Sequence, residues 1–187
     1  MGNFYANVTL RAADTDAIVQ TLTSQRRRAL VAPAIAGCTV IFDEAIEGAS
    51  RELARFAAEL SRRHGCATLA VMIADDDVLW YALYQAGRLD HEYDSNPNYD
   101  SGPPAPPKGG NGAALASAFG VPERAAELER VLRVPSGQEG YLFEHKRHAE
   151  LVRLLGLPDI AVASGYGYIE GGELPEGLEE SDLRRVG

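Results

Sequence analysis

A chain of 187 residues, 45% hydrophobic and 24% charged, has the make-up of an ordinary globular protein and enough length for a substantial core. Its formal charge of −9 argues against nucleic acid as a partner, which needs a clustered basic surface, and leaves basic proteins and cations. No apolar run approaches the roughly 20 residues of a membrane span, and Met1-Gly2-Asn3-Phe4-Tyr5-Ala6 lacks the layout of a signal peptide, so a cytoplasmic chain off the membrane is expected.

In chain order, Phe4, Ala6, Val8 and Leu10 alternate on one side of a half-buried strand. Asp14-Thr15-Asp16 then offers an N-cap to a helix carrying Ile18, Val19 and Leu22. Residues 29–34 and 39–42 form a hairpin around Ile35-Ala36-Gly37. Across residues 49–64, Leu53, Phe56, Ala57 and Leu60 follow helical spacing, and Gly65 stands at the C-cap. Residues 67–74 are apolar on both faces, as a covered central strand would be. Residues 3–74 therefore spell β-α-β-β-α-β, the order of a ferredoxin-like α+β core.

A second hairpin follows, residues 78–84 and 88–93 about Gln85-Ala86-Gly87, in which Leu89, His91 and Tyr93 are expected on one face and Arg88, Asp90, Glu92 and Asp94 on the other. The proline- and glycine-rich stretch 95–112 reads as a connector without regular structure, dividing a sheet core, 1–94, from a segment 113–187 packed on it. In that segment helices are expected over 113–119, after Pro122, and over 142–155, where His148, Leu151, Val152 and Leu155 share a stripe. Residues 160–169 read as a strand pairing with the first one, and 170–187 as an acidic tail with a turn near Ser181-Asp182-Leu183.

Cys38 and Cys66 border apolar strands, as free thiols do in a reducing compartment, with a disulfide between them as the other option. Thirteen of the 27 acidic residues lie in two stretches, 75–100 and 170–182. Lys108-Gly109-Gly110-Asn111-Gly112 has the wrong order for a phosphate loop, and Gly165-Tyr166-Gly167 lacks a third glycine and is not expected to open a helix. His145 and His148 stand one helical turn apart but lack the His-Glu-x-x-His pattern; His148 reads as half-buried packing and His145 as solvated. No Gly-x-Ser-x-Gly elbow is present.

Two candidate surfaces remain. Asp75-Asp76-Asp77 is the densest carboxylate cluster, and a polar turn or a hard cation would explain it. The run from Asp90 to Asp100 interleaves His91, Tyr93, Asp94 and Tyr99 with acids and small polar residues, the composition of a recognition surface. The expectation is a non-catalytic, acidic interaction protein, monomer or homodimer, that needs no cofactor or metal and restrains a basic protein as bacterial immunity proteins do. An enzyme or sensor with a small-molecule or metal site where Asp75, Asp76, Asp77, His91 and Tyr93 converge is the alternative. The pattern Asp75-Asp76-Asp77-Val78-Leu79-Trp80-Tyr81 running to Tyr93-Asp94-Ser95, with Gly165-Tyr166-Gly167-Tyr168-Ile169-Glu170, resembles uncharacterised small bacterial proteins over most of the chain. That resemblance implies no activity and no catalytic residues.

Overall fold

The computed structural model describes residues 2–99, 101–103 and 105–187; Asp100 and Pro104 of the connector lie outside them. The described residues form a mixed α+β structure of eight strands and six α-helices. The order is β1 (Tyr5–Arg11), α1 (Thr15–Ser24), β2 (Ala29–Val31), β3 (Cys38–Asp43), α2 (Ser50–His64), β4 (Ala67–Ala74), β5 (Val78–Gln85), β6 (Arg88–Asp94) and β7 (Lys108–Gly109). After these come α3 (Gly112–Phe119), α4 (Ala125–Arg133), α5 (Glu144–Leu155), α6 (Tyr166–Glu170) and β8 (Arg184–Val186). The strands make one sheet, β7-β6-β5-β4-β1-β3-β2-β8, with every neighbouring pair antiparallel. No helix among the described residues is long and apolar enough to cross a membrane.

Local chemistry sets the element ends. Asp14 Oδ1 accepts the N–H groups of Asp16 and Ala17 at the start of α1. Gly65 closes α2 at φ 61°, a left-handed conformation glycine adopts without a Cβ penalty. The sheet is covered on both sides. On the front, Ala6, Val8 and Leu10 of β1 pack with Ile18 and Leu22 of α1 and Leu53, Phe56 and Leu60 of α2. On the rear, Leu79, Tyr81 and Leu83 of β5 pack with Leu115, Leu128, Val131, Leu151 and Val152 of α3, α4 and α5. Each such aliphatic side chain contributes on the order of 1.5–3 kcal/mol by leaving water.

Several expectations are corrected. Strand β1 is buried on both faces, not half-buried, and Phe4 lies before it, 56% exposed. Residues 160–169 do not form a strand: a 3-10 turn spans Asp159–Ala161 and α6 follows. The reason is positional, because both edges of β1 are already taken by β3 and β4. The segment instead crosses the rear face, where the Asn7 amide donates to the Ala161 and Ser164 carbonyls at 2.7 and 3.1 Å. The C-terminal strand is β8, inside the expected acidic tail, paired with β2. The connector contributes β7, which pairs with Tyr93 and Asp94. Leu89 does not share a face with His91 and Tyr93. A bulge places it opposite Tyr84, while His91 and Tyr93 stand opposite Leu83 and Tyr81, and Leu89 is 51% exposed.

Candidate functional site

The candidate residues separate into three places. The first is the β4–β5 turn, where Asp75 and Asp76 hold φ values of 52° and 60° that aspartate tolerates better than most residues. Asp75 Oδ1 accepts the Gly2 N–H at 3.0 Å, and Asp77 is exposed. Asp76 is buried. Its Oδ2 accepts the backbone and side-chain N–H groups of Asn3 at 3.2 and 2.7 Å, and its Oδ1 accepts from His145 Nδ1 at 2.7 Å and from the His145 backbone at 3.3 Å. Burial works against the Asp76 charge, but the hydrogen bonds from His145 and Asn3 outweigh it and hold the carboxyl below its usual range.

Asp76 is thus the missing cap of α5. The N-cap residue, Phe143, makes no side-chain cap, and the Glu144 N–H donates to the Asp76 carbonyl at 2.8 Å. His145 is therefore docked and half-buried instead of solvated, and His148 is fully packed instead of half-buried. Asp76→Asn, which keeps a residue suited to the left-handed backbone, is expected to lower stability by about 1–3 kcal/mol in urea unfolding. A change below about 0.5 kcal/mol would show that the cap is dispensable.

The second place is the rear face of β5 and β6. Tyr93 stacks on Tyr81 with ring centroids 5.2 Å apart, and Tyr81 Oη lies 3.2 Å from His91 Nε2. Burial pulls the His91 pKa down against the pull of Asp90. The Tyr93 hydroxyl is buried with no hydrogen-bond partner among the described residues. Gly110 roofs this stack: a Cβ there would lie 2.9 Å from Tyr93 Cδ2, so a side chain would push into the tyrosines. His91 stands five positions along β5 from Val78, roughly 17 Å at ~3.4 Å per residue, so it does not converge with Asp75, Asp76 and Asp77. Among the described residues no group of three or more His, Cys, Asp or Glu is placed to hold a metal ion.

The third place is open. Eight strands ~4.8 Å apart span roughly 34 Å, whereas two helices ~10–12 Å across cover roughly 20–24 Å, so α1 and α2 leave part of the front face bare. Met72, Trp80 and Asp94 stand opposite one another on β4, β5 and β6 in this bare region, with Trp80 and Asp94 half-buried. The chain leaving β6 folds back over them, and Pro97, Tyr99 and Ser101 complete a cleft of about 270 Å³. A second cleft, about 320 Å³, shares Trp80, Asp94 and Pro97 and adds Glu92 and Lys108. Lys108 stands directly across the strands from Asp94. Asp94 Oδ1 accepts the Asn96 N–H at 2.9 Å. Burial pushes the Asp94 carboxyl up, opposed by that hydrogen bond, reinforced by Glu92 and relieved by Lys108.

No family model, curated protein or solved structure matches the chain. The reading of the site therefore rests on its own chemistry. Of the seven sequence candidates, Asp94 and Tyr99 meet in the open cleft, Asp75, Asp76 and Asp77 share the turn, and His91 and Tyr93 line the rear core. Trp80 was not among them, although the chain's single tryptophan on a strand beside an acidic strand is a readable signal.

Proposed function

We propose that the chain is a non-catalytic recognition protein that holds a basic segment of a protein partner in the clefts about Trp80 and Asp94. The observation that carries this is the pairing of an accessible indole with a half-desolvated carboxylate that has room beside it. Aromatic faces and carboxylates both attract cations, and the effect strengthens as water is removed. Exposed Asp90 and Glu92 extend the negative field along β6, and Glu173, Glu176, Glu179 and Glu180 add a second exposed acidic stretch. Such a field steers a positive partner and selects against negative ones, as in immunity-protein-like inhibition.

The same reading covers the frame. The inner strand order β4-β1-β3-β2, with α1 and α2 on one face, supports a ferredoxin-like core in residues 1–94, with 95–112 as connector and 113–187 as a cap. Free thiols at Cys38 and Cys66 support a reducing compartment such as the cytosol. The two-residue edge strand β7 and the arginines of the short edge strand β8 keep the sheet edges brief and charged, which supports a monomer.

Trp80 emission provides the test, because no other tryptophan contributes. Titration with a short basic peptide at low salt is expected to change emission saturably, to weaken several-fold as salt shortens the Debye length from ~10 Å, and to weaken in Asp94→Asn. The same response to an acidic peptide, or none to the basic one, would remove the proposal's support.

A further inference from the structure

The two clefts beside Trp80 differ in one respect. The cleft that includes Lys108 already has a basic residue of the chain lining it together with Glu92 and Asp94. Among the described residues, the cleft that includes Met72 and Tyr99 is lined by one carboxylate, Asp94, and no basic residue. Its walls are flat or soft: the Trp80 indole, the Tyr99 ring, the Pro97 ring and the Met72 thioether. Asp94 is half-buried at its edge, with Oδ1 committed to the Asn96 N–H. A visiting cation must therefore shed much of its water, lie flat on aromatic surface and meet a carboxylate from the side.

A lysine ammonium meets those demands poorly, because it is a compact, strongly hydrated point charge. A guanidinium meets them well, since it is planar, weakly hydrated, stacks on aromatic faces and donates in a fork to carboxylates. We infer that this cleft is an arginine subsite, in which a partner's guanidinium stacks on Trp80 and pairs with Asp94. The inference rests on the recognition reading above and sharpens it to one residue type. Lys108, on the far side of Asp94, competes for the same carboxylate and sets an upper limit on the affinity.

The experiment compares three capped peptides of equal length and charge, carrying arginine, lysine or trimethyllysine at the same positions, by calorimetry and Trp80 emission. The arginine peptide is expected to bind at least roughly fivefold more tightly than the other two, a margin of about 1 kcal/mol. Asp94→Asn and Trp80→Leu are expected to bring it down to the lysine level, Trp80→Phe to keep most of the preference by retaining an aromatic face, and Lys108→Gln to tighten it. Equal binding of arginine and lysine peptides overturns the inference while leaving the recognition reading in place. Tighter binding of the trimethyllysine peptide, or calorimetric binding without any change at Trp80, also overturns it. If none of the three binds, the recognition reading itself fails. Near- and far-ultraviolet circular dichroism of each variant, matched to the parent protein, separates lost binding from lost folding.

Discussion

Arg147→Ala is expected to lower the unfolding free energy by about 3–5 kcal/mol, a large share of the ~5–15 kcal/mol that holds a domain folded. Arg147 is the largest fully buried side chain among the described residues, and all three of its guanidinium nitrogens donate inside the rear core. Nε and Nη2 donate to the two carboxylate oxygens of Glu144 at 2.7 and 3.1 Å, and Nη1 donates to the Val131 and Val134 carbonyls at 2.8 and 2.7 Å. Those carbonyls belong to the end of α4, which has no helical partner for them. The guanidinium carbon lies 4.4 Å from the Tyr141 ring centroid and 5.9 Å from that of Tyr93. Truncation leaves Glu144 as a buried charge with Ser136 as its remaining side-chain partner among the described residues, and leaves two carbonyls short of a donor.

Arg147→Lys is expected to recover little, because one ammonium cannot reproduce a fork and a cap at once. The double variant Arg147→Met with Glu144→Leu is expected to be more stable than Arg147→Ala, since removing both charges removes the unpaired one. Urea unfolding of the three variants checks this. A loss below about 1 kcal/mol for Arg147→Ala would mean that water reaches Glu144 in the folded state.

Acid is expected to destabilise the protein well before its carboxylates are protonated, through His148. The imidazole is fully packed between α5 and β1, with Nδ1 2.7 Å from the Tyr5 hydroxyl and the two rings stacked at 5.7 Å. Burial, with a smaller contribution from nearby His145, holds its pKa down to about 3 from an ordinary value of 6.5. The sign follows from proton uptake: between those values the unfolded chain binds a proton that the folded one refuses, so stability rises with pH. It is complete above about 6.5 and is lost progressively as pH falls toward about 3. Burial also lowers the pKa values of His64 and His91, which adds in the same direction.

His148→Leu is expected to lose a pH-independent increment of about 1 kcal/mol, because the Tyr5 hydroxyl keeps its hydrogen bond with the Ala163 backbone but loses its imidazole partner, and to show a shallower slope through this window. Equilibrium unfolding at a series of pH values distinguishes the outcomes. Parallel profiles for parent and variant would show that His148 is charged in the folded protein.

Elements whose ends carry their own chemistry were legible in the sequence. The α2 stripe with Gly65, the Asp14 cap and the doubly apolar run of β4 specify themselves through periodicity and turn residues. What was not legible depends on partners far along the chain. Nothing near residue 145 announces that Asp76, 69 positions away, will cap α5, so a helix without a visible cap and a turn of three aspartates remained two separate facts. Residues 160–169 alternate as a strand would, but occupancy of both β1 edges is a property of the whole sheet. The bulge in β6 likewise depends on its pairing with β5, and it moved Leu89 to the other face. In the candidate site the tyrosine- and acid-rich run was visible as composition. Which of its members face outward was decided by the pleat, which sends Tyr93 to the rear core and Asp94 to the open front.

The central claim is that recognition takes place in the clefts beside Trp80. Two-dimensional NMR of the labelled protein, titrated with the arginine peptide, tests it most directly because it locates the contact. The account predicts that the Trp80 indole N–H and the amides of Met72, Asp94, Asn96 and Tyr99 shift together and saturate at one affinity. Shifts confined to the acidic stretch 170–182, or to the turn at Asp75, Asp76 and Asp77, would contradict it.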